Sequence, residues 1–262
     1  MSDLLTGKTA IIYGGGGGIG GGVARTFARE GASVFLVGRT REPLEMVAKE
    51  ITAGGGSAGV AVLDALDEQA VDAHVAAVVA QAGRVDVSFN LVSRGDVQGR
   101  PLVDMSTGDL LGAVVTGLQA NFVTARAAAR QMVGQGGGVI LHLNSASGAA
   151  ARPGMGSTGP ADAAVEAFMR YLAAEVGPHG VRVCGIWTAG VAETLTDESI
   201  AAVAGPGGPT AEQALQMIAG MSVLRRTPRL ADVAETAAFL ASDRAAGITG
   251  SMTNVTSGLV LR

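Results

Sequence analysis

Lysine, tyrosine and cysteine are nearly absent from this chain of 262 residues, and each scarcity closes off some chemistry. Cys184 is the only cysteine, so no intrachain disulfide or cysteine-based metal cluster can form. It reads as a small buried hydrophobe. The histidines His74, His142 and His179 have no partners at ligand spacing, and no metal site is expected. His142 lies inside an apolar run and reads as a packed, hydrogen-bonded core histidine. Charged residues are only 16%, against ~25% in a typical domain. A net charge of −4 leaves no basic footprint for nucleic acid. There is no run of 18 apolar residues and no basic-then-apolar leader, so a soluble cytoplasmic protein without a membrane partner is expected. Lys8 and Lys49 are the only lysines, and Tyr13 and Tyr171 the only tyrosines.

Glycine and small aliphatic residues are abundant instead, with 40 glycines and 48% hydrophobic residues. The glycines gather in Gly14-Gly15-Gly16-Gly17-Gly18-Ile19-Gly20-Gly21-Gly22, directly after the apolar stretch from Thr9 to Tyr13. That stretch reads as a buried strand. Val23 to Glu30 reads as a helix stopped by Gly31. A glycine turn between a first strand and a first helix lets backbone N–H groups approach a pyrophosphate, and the helix N-terminus adds partial positive charge.

The rest of the chain alternates short β-rich runs with helical ones. Strands are expected at Ser33–Val37, Gly59–Leu63, Val85–Leu91, Val139–Leu143 and Val181–Trp187. Helices are expected at Glu42–Ile51, Glu68–Gln81, Ser106–Val115, Leu118–Met132 and Pro160–Val176. The alternation predicts an α/β, single-domain Rossmann fold over residues 1–262: a doubly wound parallel sheet of about seven strands with helices on both faces. The region 189–220 carries Gly205-Pro206-Gly207-Gly208-Pro209 and breaks the alternation. It reads as a substrate or lid loop, with a disordered surface loop as the other reading. Its apolar content between Ala201 and Met221 points to a hydrophobic ligand.

In a dinucleotide site, a carboxylate about 20 residues past the glycines would hold the adenosine ribose. The second strand ends instead in Gly38-Arg39-Thr40-Arg41. Arg39 suits a 2′-phosphate and adenine stacking, so NADP(H) is favoured over NAD(H). The alternative is that Arg39 and Arg41 form a solvated pair at a helix start. Asp64, after the third strand, either accepts from the adenine amino group or serves as a turn or N-cap residue.

Tyr13 to Gly20 resembles the Thr-Gly-x-x-x-Gly-Ile-Gly fingerprint of the short-chain dehydrogenases/reductases. Arg225 to Glu235, Phe239 to Asp243 and Ile248-Thr249-Gly250 are similar to that family's last helix and C-terminal strand. The resemblance spans nearly the whole chain. It implies hydride transfer between a nicotinamide and a carbonyl or alcohol, with Gly14, Gly18, Ile19, Gly20, Asn90 and Thr194 at cofactor positions. It also implies a small, apolar carbonyl- or alcohol-type ligand. The family uses a serine, a tyrosine, a lysine and an asparagine. Ser145 matches the serine. Thr158 stands at the tyrosine position, Asp162 at the lysine position and Gly117 at the asparagine position. Tyrosine has a pKa near ~10 that a neighbouring cation can tune; threonine does not, and a carboxylate at 162 acts with the opposite sign. Arg94 either binds an acidic ligand, pairs with Asp162, or is an exposed loop residue. Two readings follow: an oxidoreductase with a displaced proton donor, or a catalytically silent nucleotide-binding or partner-binding homologue. The helices around 118–132 and 160–176 match the family's usual interface, so a homotetramer or homodimer is implied. Ala161, Val165, Phe168 and Leu172 share one helical face there, which is either interface or core.

Overall fold

The computed structural model describes residues 3–205 and 207–261. Seven strands form one parallel sheet in the order β3-β2-β1-β4-β5-β6-β7. They are β1 (Thr9–Tyr13), β2 (Ser33–Gly38), β3 (Ser57–Val62), β4 (Val87–Asn90), β5 (Gly138–Ser145), β6 (Val181–Thr188) and β7 (Ser251–Val255). The helices are α1 (Gly18–Arg29), α2 (Arg41–Ala53), α3 (Glu68–Ala82), α4 (Thr107–Gln135), α5 (Thr158–Val176), α6 (Asp197–Ala204), α7 (Ala211–Met221) and α8 (Leu230–Ala241). No helix among the described residues is long and apolar enough to cross a membrane.

Strand alternation sends side chains to opposite faces, and each face has its own core. Ala10 and Ile12 pack with Val23 and Phe27 of α1, Leu44 of α2 and Leu240 of α8. Ile11 and Tyr13 pack with Val71 and Val75 of α3, Val123 of α4 and Val165 of α5. Cys184 is fully buried in the first core.

The structure departs from the sequence reading in three places. Helix α1 begins inside the glycine run, at Gly18, and the buried Gly20 faces the Gly14 carbonyl oxygen too closely for a side chain. The stretches read as two helices around 106–132 form one helix of 29 residues, α4. Gly117 lies in its middle; a glycine costs a helix interior ~1 kcal/mol, and packing along the helix outweighs that. The segment 189–220 is not irregular: it carries a 3-10 turn at Ala192–Thr194 and the helices α6 and α7. Thr196 and Thr210 cap these helices in capping boxes with Ser199 and Gln213, which satisfies the orphan N–H groups of their first turns. Pro206 lies outside the described residues. On the α5 face, read as either interface or core, Ala161 and Val165 are fully buried and Phe168 and Leu172 partly so.

Candidate active site

The strand order reverses between β1 and β4, both of which flank the glycine turn. Ligands of open α/β sheets sit at such a switch point, beyond the carboxyl ends of the strands. A cavity of about 340 Å³ lies there, walled by Tyr13, Gly14, Gly38, Arg39, Asp64 and Ser93 among others.

The glycines that shape this cavity are required by sterics. Gly14 has φ +79° and a Cβ on it would lie 2.5 Å from the Leu91 carbonyl oxygen. A Cβ on Gly20 would collide with the Gly14 carbonyl oxygen. The α1 N-terminus carries no side-chain cap, so the N–H groups of its first turn, at Gly18, Ile19 and Gly20, have no intrahelical partner. The Thr194 side chain occupies the space a Cβ of Gly18 would need. Arg39 is exposed and makes no ion pair among the described residues, whereas Arg41 pairs with Glu45 at 3.2 Å along α2. Asp64 accepts from the Leu66 N–H at 3.0 Å, and Asp67, not Asp64, caps α3. Asn90 is buried; its amide donates to Thr124 Oγ1 at 3.1 Å and its carbonyl oxygen accepts from Val92 N–H at 2.9 Å. The Tyr13 hydroxyl is buried without a partner, and burial together with the nearby Asp72 charge pushes its pKa well up.

Further along the same edge, the last residue of β5 meets the first turns of α5. Ser145 Oγ donates to Asp162 Oδ2 at 2.5 Å and accepts from the Ser147 N–H at 3.2 Å. The Asp162 side chain is 0% exposed. Its second oxygen receives Arg94 Nη2 at 2.6 Å. Arg94 also donates from Nε to Asp96 at 2.9 Å and from Nη2 to the Thr158 carbonyl at 3.4 Å. Burial raises the Asp162 carboxyl to about 6, with Arg94 and the Ser145 hydroxyl pulling the other way. Thr158 Oγ1 accepts from Gln98 Nε2 at 2.9 Å.

Gly117 explains how Arg94 reaches this position. A Cβ on Gly117 would lie 2.8 Å from Arg94 Cδ, so the bare backbone of α4 forms the shelf on which the arginine stem rests. The structure thus joins Ser145, Asp162, Thr158 and Gly117 through Arg94, a residue for which the sequence left three roles open. Neither tyrosine belongs to the group: Tyr13 is buried in the core and Tyr171 is 75% exposed on the far part of α5.

Behind the site, Asn144 Nδ2 donates to the Asp162 carbonyl at 3.1 Å, and Trp187 Nε1 donates to Glu166 at 2.7 Å. His142 is packed in the core as expected, with a backbone hydrogen bond at Cys184 acting on its ring. Burial pushes its imidazole down to about 4, so it remains neutral and can tolerate an apolar neighbourhood at modest cost. No group of residues able to hold a metal occurs among the described residues.

Comparison with known proteins defines the class. Residues 15–260 match the family model described as enoyl-(acyl carrier protein) reductase. The chain is 33% identical over 258 residues to the oxidoreductase UcpA of Escherichia coli, covering 98% of this chain and 96% of that protein. The structure superposes on carveol dehydrogenase from Mycobacterium avium in complex with NAD with a TM-score of 0.90 at 25% identity, covering 99% of each chain. It superposes on 7α-hydroxysteroid dehydrogenase complexed with NADH and 7-oxo glycochenodeoxycholic acid with a TM-score of 0.84 at 30% identity, covering 98% of this chain and 96% of that one. The chain belongs to the short-chain dehydrogenase/reductase family.

Proposed function

We propose that the protein binds NADP(H) across the switch point and exchanges hydride between the nicotinamide and a small apolar alcohol or carbonyl compound, without the family's tyrosine–lysine pair. The observation that carries this reading is the glycine cradle. Gly14 and Gly20 leave no room for a Cβ, and the uncapped α1 turn adjoins a cavity of about 340 Å³. Backbone N–H groups at a helix N-terminus are suited to a pyrophosphate. Arg39, unpaired on the cavity wall, would face a 2′-phosphate, and Asp64 would lie near the adenine. Gly18, Ile19, Gly20, Asn90 and Thr194 would frame the nicotinamide half. When bound, the dinucleotide supplies or accepts the hydride; the chain supplies binding, orientation and the proton.

A second reading, a catalytically silent nucleotide-binding or partner-binding homologue, is favoured by one observation. Arg94 fills the space between Gly117, Thr158 and Asp162, the residues that the family resemblance places at its asparagine, tyrosine and lysine positions. Two experiments separate the readings. Titration with NADPH, followed by nucleotide fluorescence, tests the cradle; no binding removes the first reading. A screen of apolar alcohols and ketones then compares the wild type with a reversed variant, Thr158→Tyr/Asp162→Lys/Gly117→Asn. Arg94→Ala must accompany these changes, because a lysine at 162 would meet Arg94 and an asparagine at 117 would collide with its stem. Turnover by the wild type supports the first reading, and turnover only in the reversed variant supports the second. The partly exposed ring pair Phe122 and Phe168, 5.7 Å apart and edge to face, supports a homodimer or homotetramer built on α4 and α5.

A further inference from the structure

The direction of one hydrogen bond decides what Ser145 can offer a ligand. A hydroxyl has one proton to donate and two lone pairs to accept with. Ser145 Oγ lies 2.5 Å from Asp162 Oδ2. An ionised carboxylate accepts only, so the serine proton is committed to Asp162. One lone pair takes the Ser147 N–H at 3.2 Å. What remains for a ligand is a single acceptor site. Arg94 favours the ionised form of Asp162 through its 2.6 Å contact. The other charged groups near Asp162 are Asp96, paired to Arg94, and Glu166 one turn on, separated from it by Asn144. The segment of α4 opposite contributes Gly117 and no charge.

We infer that Asp162 fixes Ser145 as a hydrogen-bond acceptor, so that the site selects alcohols over the corresponding ketones, and that the Ser145–Asp162 pair takes the alcohol proton as hydride leaves. This inference rests on the nucleotide-binding reading above and specifies its substrate. In the step, the carbinol C–H bond breaks and its electron pair leaves with the hydrogen for oxidised nicotinamide. The hydroxyl proton passes to Ser145 Oγ while the serine's own proton passes to Asp162 Oδ2. The carbon–oxygen bond becomes a carbonyl. Carbon loses two electrons, the nicotinamide gains two, and one proton is left on Asp162 for release to solvent. Ser145 touches the reacting oxygen and is the catalytic residue. Asp162 acts through it, and Arg94 positions Asp162. A carboxyl near neutrality is suited to such a shuttle.

The first test needs no ligand. The Asp162 carboxyl is titrated by carbon-13 NMR in the wild type and in Ser145→Ala. Loss of a donor to the charged form raises a carboxyl pKa, and a rise of about one pH unit is expected; an unchanged midpoint overturns the inference. The second test measures binding of cyclohexanol and cyclohexanone at pH 8 by ligand-observed NMR. The wild type should bind the alcohol about fivefold or more tightly than the ketone. Asp162→Asn is isosteric, and its amide can donate to Ser145 and release the serine proton for a carbonyl, so the preference should vanish or invert. Equal binding, ketone preference or no binding of either probe by the wild type overturns the selection. NADPH titration is run beside both. An alcohol preference without NADPH binding supports the acceptor role of Ser145 and overturns the hydride step along with the nucleotide reading.

Discussion

Replacing Arg94 with methionine removes the guanidinium from a carboxylate that has no exposure at all. Methionine keeps much of the stem that rests on Gly117, so the change isolates the charge. Breaking a buried pair by removing one partner costs ~3–5 kcal/mol, and Arg94 is only 12% exposed, so solvent screening relieves little of that. The cost depends on pH, with a sign fixed by linkage. Burial has carried the Asp162 carboxyl from its ordinary 3.8 to about 6. The folded protein therefore holds this proton more tightly than the unfolded chain does. The stability it confers is fully present below about pH 4 and is lost as pH rises through 6, a change of ~3 kcal/mol. Without Arg94 the folded midpoint moves higher, and the loss continues toward pH 8. At pH 5 the acid is largely protonated with or without Arg94, so the substitution removes little more than hydrogen bonds to a neutral group, ~1–2 kcal/mol. Urea unfolding followed by circular dichroism at pH 5 and pH 8 reads the difference. The Arg94→Met penalty should be at least about 2 kcal/mol larger at pH 8, and adding Asp162→Asn should recover most of it. An equal penalty at both pH values, or no recovery from the second substitution, refutes the account of this pair.

Arg39→Ser should weaken NADPH at least about tenfold more than it weakens NADH, which loses only the adenine stacking and not a charge-assisted phosphate contact of ~1.5–3 kcal/mol; fluorescence titration checks it. Gly14→Ala should destabilise the protein by ~2 kcal/mol or more in thermal unfolding, because it adds left-handed backbone strain to a clash with the Leu91 carbonyl. Phe122→Glu, on the α4 face where Arg126 lies 5.2 Å from the ring centre, should halve the mass seen by light scattering if that face joins subunits. A wild type that is already monomeric contradicts the oligomer.

Much of the fold was legible because strand and helix periods are plain in the sequence. The range of β1 was read to the residue, and β2 through β6 were located to within a few. The boundaries that failed did so for physical reasons. Glycine reads as a helix stop, yet residues 18–22 lie in α1, where the Gly14 carbonyl oxygen leaves no room for a side chain at Gly20, and Gly117 stays helical under the stem of Arg94. The Gly- and Pro-rich stretch around 205–209 hid α6 and α7, although Thr210 and Gln213 already had the spacing of a capping box. At the site, Ser145, Thr158, Asp162 and Gly117 were each singled out by the family resemblance. An Arg94–Asp162 pair was one of the three roles read for Arg94, and the fold selects it by bringing the loop after β4 against α5, across 68 residues of sequence.

The glycine cradle is the feature on which the functional reading stands, and calorimetric titration of the purified protein with NADPH and then with NADH tests it most directly. One NADPH per subunit, bound at least about tenfold more tightly than NADH, is the result the cradle and Arg39 predict. Absence of binding by either nucleotide, or tighter binding of NADH, would contradict it.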